Sequence, residues 1–485
     1  MRRARRLYGI IAGMNIGKLI LACAAAVGVM HASSLCAAER SPSGNDETAK
    51  WQSEIDRVSA AGGGRVTVPA GRHLVGQLDL RNGVELHLEE GAVLEGIYGL
   101  EHYRVLTLPY SEGTWSAIVS GVGVTNVAVT GKGEIFGNGP VWPRAPKGFK
   151  GCHEGLRPRG LFFAYSKDIR LEGFFLHDTA CWGTVLKNCD GVTIRRVRVF
   201  NHGNLNNDGF DIEAKNVLVE DCEADTSDDC YCIKSNDPGF TVENVTIRNC
   251  VARGQANCLK IGTATRGTVR HVRFENIRCD VPRGIFSEYA DGSKANMLFH
   301  YTVYMRPEHY PYGYSLTGIS VECVDGGRVE DIVCDGLELV DGVKIPIFVR
   351  ADMRQYHNKD CKLERGTHNC LSNVVIRNVR GYAMGPVASS ITGTKAFRVQ
   401  DVRLEDIEVF MPGAGETASK KALETPWPYR ENCYPSPDIF HPDIMPAYGL
   451  YIDYADGVVL ERVNFRLLKP GPADFRPEIL DTKRR

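Results

Sequence analysis

Two short runs crowd more acid and amide side chains together than a turn requires. The first is Asn206-Asn-Asp-Gly-Phe-Asp-Ile212, the second Asp225-Thr-Ser-Asp-Asp-Cys230. Asp208 precedes Asp228 and Asp229 by 20 and 21 residues. Like charges held together raise one another's pKa and cost energy, so a sequence built for stability alone avoids them. Glycoside hydrolysis needs them: one carboxyl stays protonated for the leaving oxygen while others activate water. Carboxylates in such a cluster also suit calcium. Asn and Asp serve elsewhere as plain turn formers, as at Asp190-Gly191 and Asp325-Gly326. The chemical reading therefore depends on a scaffold that brings the two runs side by side.

That scaffold is a repeat. Gly191-Val-Thr-Ile-Arg-Arg-Val, Asn216-Val-Leu-Val-Glu-Asp-Cys and Asn244-Val-Thr-Ile-Arg-Asn-Cys share one pattern, and Arg270-His-Val-Arg-Phe-Glu-Asn-Ile continues it. The aligned valines Val192, Val217, Val245 and Val272 are 25, 28 and 27 residues apart. Each unit alternates apolar and polar residues over four to six positions, which is strand periodicity, and Gly, Asn and Asp punctuate the units. Helical patterns between strands are absent. A coil of about 25 residues with three short strands is one rung of a parallel β-helix, whereas a propeller blade needs about 40–45. Asp208 and the Asp228-Asp229 pair then fall on adjacent rungs.

A solenoid must cover its open ends. Trp51, Ile55, Val58 and Ser59 lie at helical spacing, so 48–60 is predicted as a capping helix, stopped by Ala61-Gly-Gly-Gly64. Cys189, Cys222, Cys250 and Cys279 recur at like points of the repeat and are expected to stack in the core as free thiols. Cys361 and Cys370 are the candidate disulfide.

The chain has 485 residues, 43% hydrophobic and 24% charged, which excludes collagen, a disordered tail and a polytopic membrane protein. The formal charge is -1, so no basic face recommends a nucleic-acid partner. The first residues bias that figure. Arg2, Arg3, Arg5, Arg6 and Lys18 precede an apolar run from Leu19 to Met30 and a small-residue end at Ala37-Ala38. This reads as a signal peptide over 1–38, with an apolar core too short to span a bilayer. The mature chain is expected to be secreted or periplasmic, mildly acidic, without a membrane span, and a single β-helix domain over 45–485.

Several motifs resemble glycoside hydrolase family 28. Asn207-Asp-Gly-Phe-Asp-Ile and Ser227-Asp-Asp-Cys-Tyr-Cys-Ile-Lys-Ser235 look like its Asn-Thr-Asp and Gly-Asp-Asp signatures. Ala61-Gly-Gly-Gly-Arg-Val-Thr-Val-Pro-Ala-Gly71 and Gly131-Lys-Gly-Glu-Ile-Phe-Gly-Asn-Gly139 look like its N-terminal coils. Gly318-Ile-Ser-Val-Glu-Cys-Val-Asp-Gly-Gly327 and Pro346-Ile-Phe-Val-Arg350 resemble a bacterial branch. The resemblance implies an all-β fold, a right-handed parallel β-helix of the pectin-lyase-like kind, and polygalacturonase-like inverting hydrolysis. It implies Asp228 as general acid, with Asp208 and Asp229 activating water across a gap of about 6.5–9.5 Å. It implies no metal and no cofactor. Two family signatures are missing. Asn257 stands where Gly-His-Gly would place its histidine, and no Arg-Ile-Lys follows. Lys260 would take over substrate contact, and the sugar would differ from galacturonate: neutral, sulfated or branched.

Further substrate contacts are expected from Lys234, one rung from Lys260, from His202 just before the first acid run, and from Trp182. Arg283, Arg306 and Arg350 are candidate anion grips. The aromatic-rich stretches Glu288–Tyr314 and Pro412–Ala447 would wall the groove and close one end. The partner is thus a poly- or oligosaccharide of plant or algal origin, pectin or rhamnogalacturonan first. A polysaccharide lyase on the same fold and a non-catalytic carbohydrate-binding β-helix are the alternatives. The sequence leaves the oligomeric state open.

Overall fold

The computed structural model describes residues 45–142, 157–204, 206–280, 315–353, 370–385, 387–413, 445–468 and 476–484. The chain divides into two compact units, Met1–Ser41 and Pro42–Arg485. The first, with the expected signal peptide, lies outside the described residues.

Helix α1 (Thr48–Ala60) opens the second unit and buries Trp51, Ile55 and Val58. Ser59 donates to the Asn82 carbonyl. Gly62, Gly63 and Gly64 follow with φ of +98°, +103° and +145°, a path that side chains disfavour. The chain then coils through short strands, each paired in parallel with the strand one turn later. One sheet stacks Ala117–Val122, Arg159–Ala164, the start of Thr184–Arg195, Phe210–Glu220, Tyr231–Ser235, Asn257–Thr265 and Ser315–Cys323. A second contains the predicted valine column, with Val192 opposite Val217, Val217 opposite Val245, and Val245 opposite Val272. A third stacks Phe175–His177, Arg198–Asn201, Glu223–Thr226 and Val251–Gly254. This is the right-handed parallel β-helix, in the hand that parallel crossovers take.

Alternation along each strand sends every second side chain into one continuous apolar core. The corners need left-handed backbone, which Asn tolerates better than most residues. Asn216, Asn244, Asn249 and Asn276 sit there at φ near +55°. Asn244 donates to Asn216 at 3.0 Å and Asn276 to Asn249 at 2.9 Å, so neighbouring rungs are tied at their turns. Cys189, Cys222, Cys250 and Cys279 are free and buried. Cys370 is also a free thiol, and its expected partner Cys361 lies outside the described residues. Among the described residues no helix is long and apolar enough to cross a membrane.

The outer face of the first sheet is where the fold departs from plain repetition. Toward its N-terminal side an apolar patch of Trp115, Ala117, Phe162, Ala164, Cys181, Trp182 and Val185 covers it. Toward the other end a patch containing Leu316, Ile345, Phe348, Met445 and Tyr451 does the same. Between them the face is polar.

Candidate active site

Asp208 leads into strand Phe210–Glu220, and Asp228 and Asp229 lead into Tyr231–Ser235, its parallel neighbour. The backbone fastens these lead-ins. Gly183 donates to the Asp208 carbonyl and Gly209 to the Asp229 carbonyl, at 2.9 and 2.8 Å. A Cβ on Gly209 would lie 2.5 Å from the Cys230 carbonyl oxygen, so the rungs meet too closely here for any side chain. Amide side chains complete the support. Asn201 donates to the Asp208 carbonyl at 2.9 Å, and Asn207 to the Thr179 and Cys181 carbonyls at 2.7 and 3.0 Å. Buried Arg157 donates to Asn204 at 3.1 Å and to Asn206 at 3.5 Å, and Asn206 reaches Asp228 at 3.4 Å.

One oxygen of each acid lies within 4.8 Å of the others, and all three side chains are buried. The expected gap of about 6.5–9.5 Å is therefore corrected. Neighbouring parallel strands are about 4.8 Å apart, so side chains rising in parallel from adjacent rungs stand about that close. Burial, then the Asp229 carboxylate, push the Asp228 carboxyl up to about 7. Burial, then Asp211 and Asp228, hold Asp208 well above the usual carboxylate range. Asp229 is differently placed. Lys260 donates to its Oδ2 at 3.0 Å, and Asn257 donates to its Oδ1 at 2.5 Å from the amide side chain and 3.2 Å from the backbone. Thr317 fixes Asn257 by donating to its Oδ1 at 2.5 Å. Burial thus favours the protonated form of Asp208 and Asp228, while Asp229 accepts hydrogen bonds from Lys260 and Asn257. The three oxygens could also hold a divalent cation, although the Lys260 ammonium already supplies positive charge there.

The other expected contacts fall out unevenly. Lys234 and Lys260 both stand beside acids. Lys234 lies 2.9 Å from Asp211 and 3.3 Å from Glu112, with its ammonium 3.8 Å from the Trp182 ring centre. Asn257 serves Asp229 through the contacts above. His202 is buried, with Nε2 2.8 Å from Asp225. Arg350 is fully buried and committed to the Asp352 carboxylate and the Gly393 carbonyl. That corrects its expected role as an anion grip, because a guanidinium sealed in the wall does not meet a sugar. Arg283, Arg306 and most of the two aromatic stretches lie outside the described residues.

Three participants went unread in the sequence. Asp211 stood inside the first acid run without being given a role; burial raises it to about 6 against the pull of Lys234. Its outward position in Phe-Asp-Ile was the available signal. Glu213, two residues on, pairs with buried Lys187 at 3.3 Å, and the same alternation pointed to it. Glu112 arrives from a loop about 120 residues away in sequence, and no local pattern announced it.

Residues 59–240 match the family model of glycosyl hydrolases family 28. A probable polygalacturonase of Vitis vinifera is 26% identical over 244 residues, which is 46% of this chain and 49% of the relative. A probable polygalacturonase of Arabidopsis thaliana is 30% identical over 186 residues, 32% of this chain and 39% of the relative. The chain thus spans half or less of the length of these two. An exopolygalacturonase of Zea mays is 23% identical over 76% of this chain and 82% of its own. Among solved structures, an exopolygalacturonase from Thermotoga maritima superposes with a TM-score of 0.60 at 22% identity, covering 76% of this chain and 84% of that one. A family 28 exopolygalacturonase from Yersinia enterocolitica superposes at 0.55 with 17% identity, over 90% and 75%. At those identities the superpositions speak for the fold. Residues 59–240, the segment that carries the three acids, are thus similar in sequence to glycoside hydrolase family 28.

Proposed function

We propose that the protein is an exported inverting glycoside hydrolase, polygalacturonase-like, that cleaves glycosidic bonds in pectic polysaccharide. The observation that carries this reading is the buried acid trio, with one carboxyl poised near neutrality beside an acceptor pinned by Lys260 and Asn257. Asp228 gives its proton to the glycosidic oxygen as the C1–O bond breaks. A water between Asp208 and Asp229 attacks C1 from the other face. Asp229 takes the water's proton and Asp208 orients the water; solvent then accepts that proton from Asp229 and returns one to Asp228. Close spacing of two carboxyls can also suit a covalent nucleophile. Inversion is favoured here because both oxygens of Asp229 already accept hydrogen bonds from Lys260 and Asn257, which weakens Asp229 toward carbon. A lyase needs an uncharged base, and Lys234 is unsuited to that. Burial opposes its charge, but Asp211 and Glu112 outweigh burial and hold its pKa well above normal.

The experiment is proton NMR of the first product formed from a pectic oligosaccharide. Inversion predicts the anomer opposite to the bond cleaved. The retained anomer, or an unsaturated sugar end absorbing in the ultraviolet, would overturn the reading. Export is tested by expressing the full chain and sequencing the N-terminus of the released protein, which should begin near Glu39.

A further inference from the structure

Strands Leu106–Thr107 and Thr114–Trp115 form a small antiparallel hairpin laid over the apolar patch on the outer sheet face. Trp115 stacks on Phe162 at 5.0 Å, with the ring planes 13° apart. Lys187 donates to the Tyr110 carbonyl at 2.8 Å and fastens the hairpin tip. The tip carries Glu112 to Lys234, at the edge of the acid cluster.

Lys234 is thereby shared by two carboxylates, Asp211 and Glu112, and lies against the face of Trp182. The side chain of Asp211 is 3% exposed and that of Glu112 is 19% exposed, so Glu112 is the acid that an arriving sugar meets. The residues lining the adjoining pocket include three acids, Glu112, Asp211 and Glu213, against two lysines, Lys187 and Lys234. Arg159 is fully buried against the rings of Trp115 and Trp182. The pocket itself holds about 10 Å³, the space of a single water.

A carboxylate-bearing sugar would have to expel Glu112 from Lys234 or sit beside it as a further like charge. A hydroxyl has neither difficulty. It accepts from the ammonium and donates to either carboxylate, while a carboxylate only accepts.

We propose that Glu112 is a specificity determinant, and that the subsite over Lys234 takes an uncharged sugar unit and turns away a uronate. This rests on the hydrolase reading above and narrows its substrate to a pectic chain with a neutral residue in that position.

The test is calorimetric binding of D-galactose and D-galacturonate, which differ only at C6, to the full chain and to Glu112→Gln at pH 7. Wild type should bind galactose at least about tenfold more tightly, a modest share of what like charges about 5 Å apart cost before screening. Glu112→Gln should bring the two within about threefold, with an unchanged melting temperature. Galacturonate binding to wild type as tightly as galactose, or a preference unmoved by Glu112→Gln, would overturn the proposal. Neither binding ratio involves turnover, so a failure of the hydrolase reading appears separately, as undiminished cleavage by Asp228→Asn.

Discussion

Replacing Lys260 by Met should move the proton that the site depends on. The ammonium is 3.0 Å from Asp229 Oδ2, and an Asp229 oxygen is within 4.8 Å of one on Asp228. That places the charge roughly 8 Å from the Asp228 carboxyl, where two unit charges interact by about 2 kcal/mol at an effective dielectric constant of about 20. The Lys260 side chain is 14% exposed, so solvent screening reduces this to about one pKa unit. The sign is fixed: Lys260 lowers the Asp228 pKa, so its removal raises it. Cleavage requires Asp228 protonated, and wild-type kcat/KM should therefore fall as pH rises through about 7. In Lys260→Met that alkaline limb should shift up by about one unit. The plateau should drop at least about tenfold, because Asp229 loses the hydrogen bond that holds its Oδ2 in position. The assay is the pH profile of kcat/KM on the pectic substrate cleaved fastest, with Lys260→Arg as the arm that restores the limb. A limb that stays in place or moves down in Lys260→Met would refute the assignment of Asp228 as the acid whose proton Lys260 tunes.

Two more outcomes follow from particular contacts. His177 stands between Asp178 and Glu134 at 3.3 and 3.4 Å; burial opposes its charge, yet these partners raise its pKa to about 9. A raised histidine stabilises the fold fully below its unfolded pKa of about 6.5 and loses that contribution as pH rises through about 9. Between pH 6 and 10 the wild type should lose on the order of 3 kcal/mol more stability than His177→Gln, read from urea denaturation; parallel curves would contradict this. Gly209→Ala should cost roughly 1–3 kcal/mol and most of the activity, since its Cβ would press on the Cys230 carbonyl between the two acid runs. Wild-type melting and turnover in that variant would show that the rungs can part there.

The repeat was legible because strand alternation and corner amides are local. Val192, Val217, Val245 and Val272 pair in the register their spacing predicts. The acids were legible for the same reason, since a separation of one coil in sequence becomes one rung in space. What escaped depends on three-dimensional placement. Arg350 looks in sequence like any cation on a strand, but only the packed wall shows it sealed against Asp352. Asn257 looked like a lost histidine, and the structure gives it work as the donor to Asp229. Glu112 lies 122 residues before Lys234, and a contact across that span leaves no mark in either segment.

The central claim is that Asp228 supplies the proton that breaks the glycosidic bond. Asp228→Asn keeps the shape of the side chain and removes the proton donor, and as a neutral replacement in an acid cluster it should not lower the melting temperature. Its kcat on the pectic substrate, measured beside wild type at pH 6, should fall about 10²- to 10⁴-fold with substrate binding retained. A kcat within twofold of wild type would contradict the account.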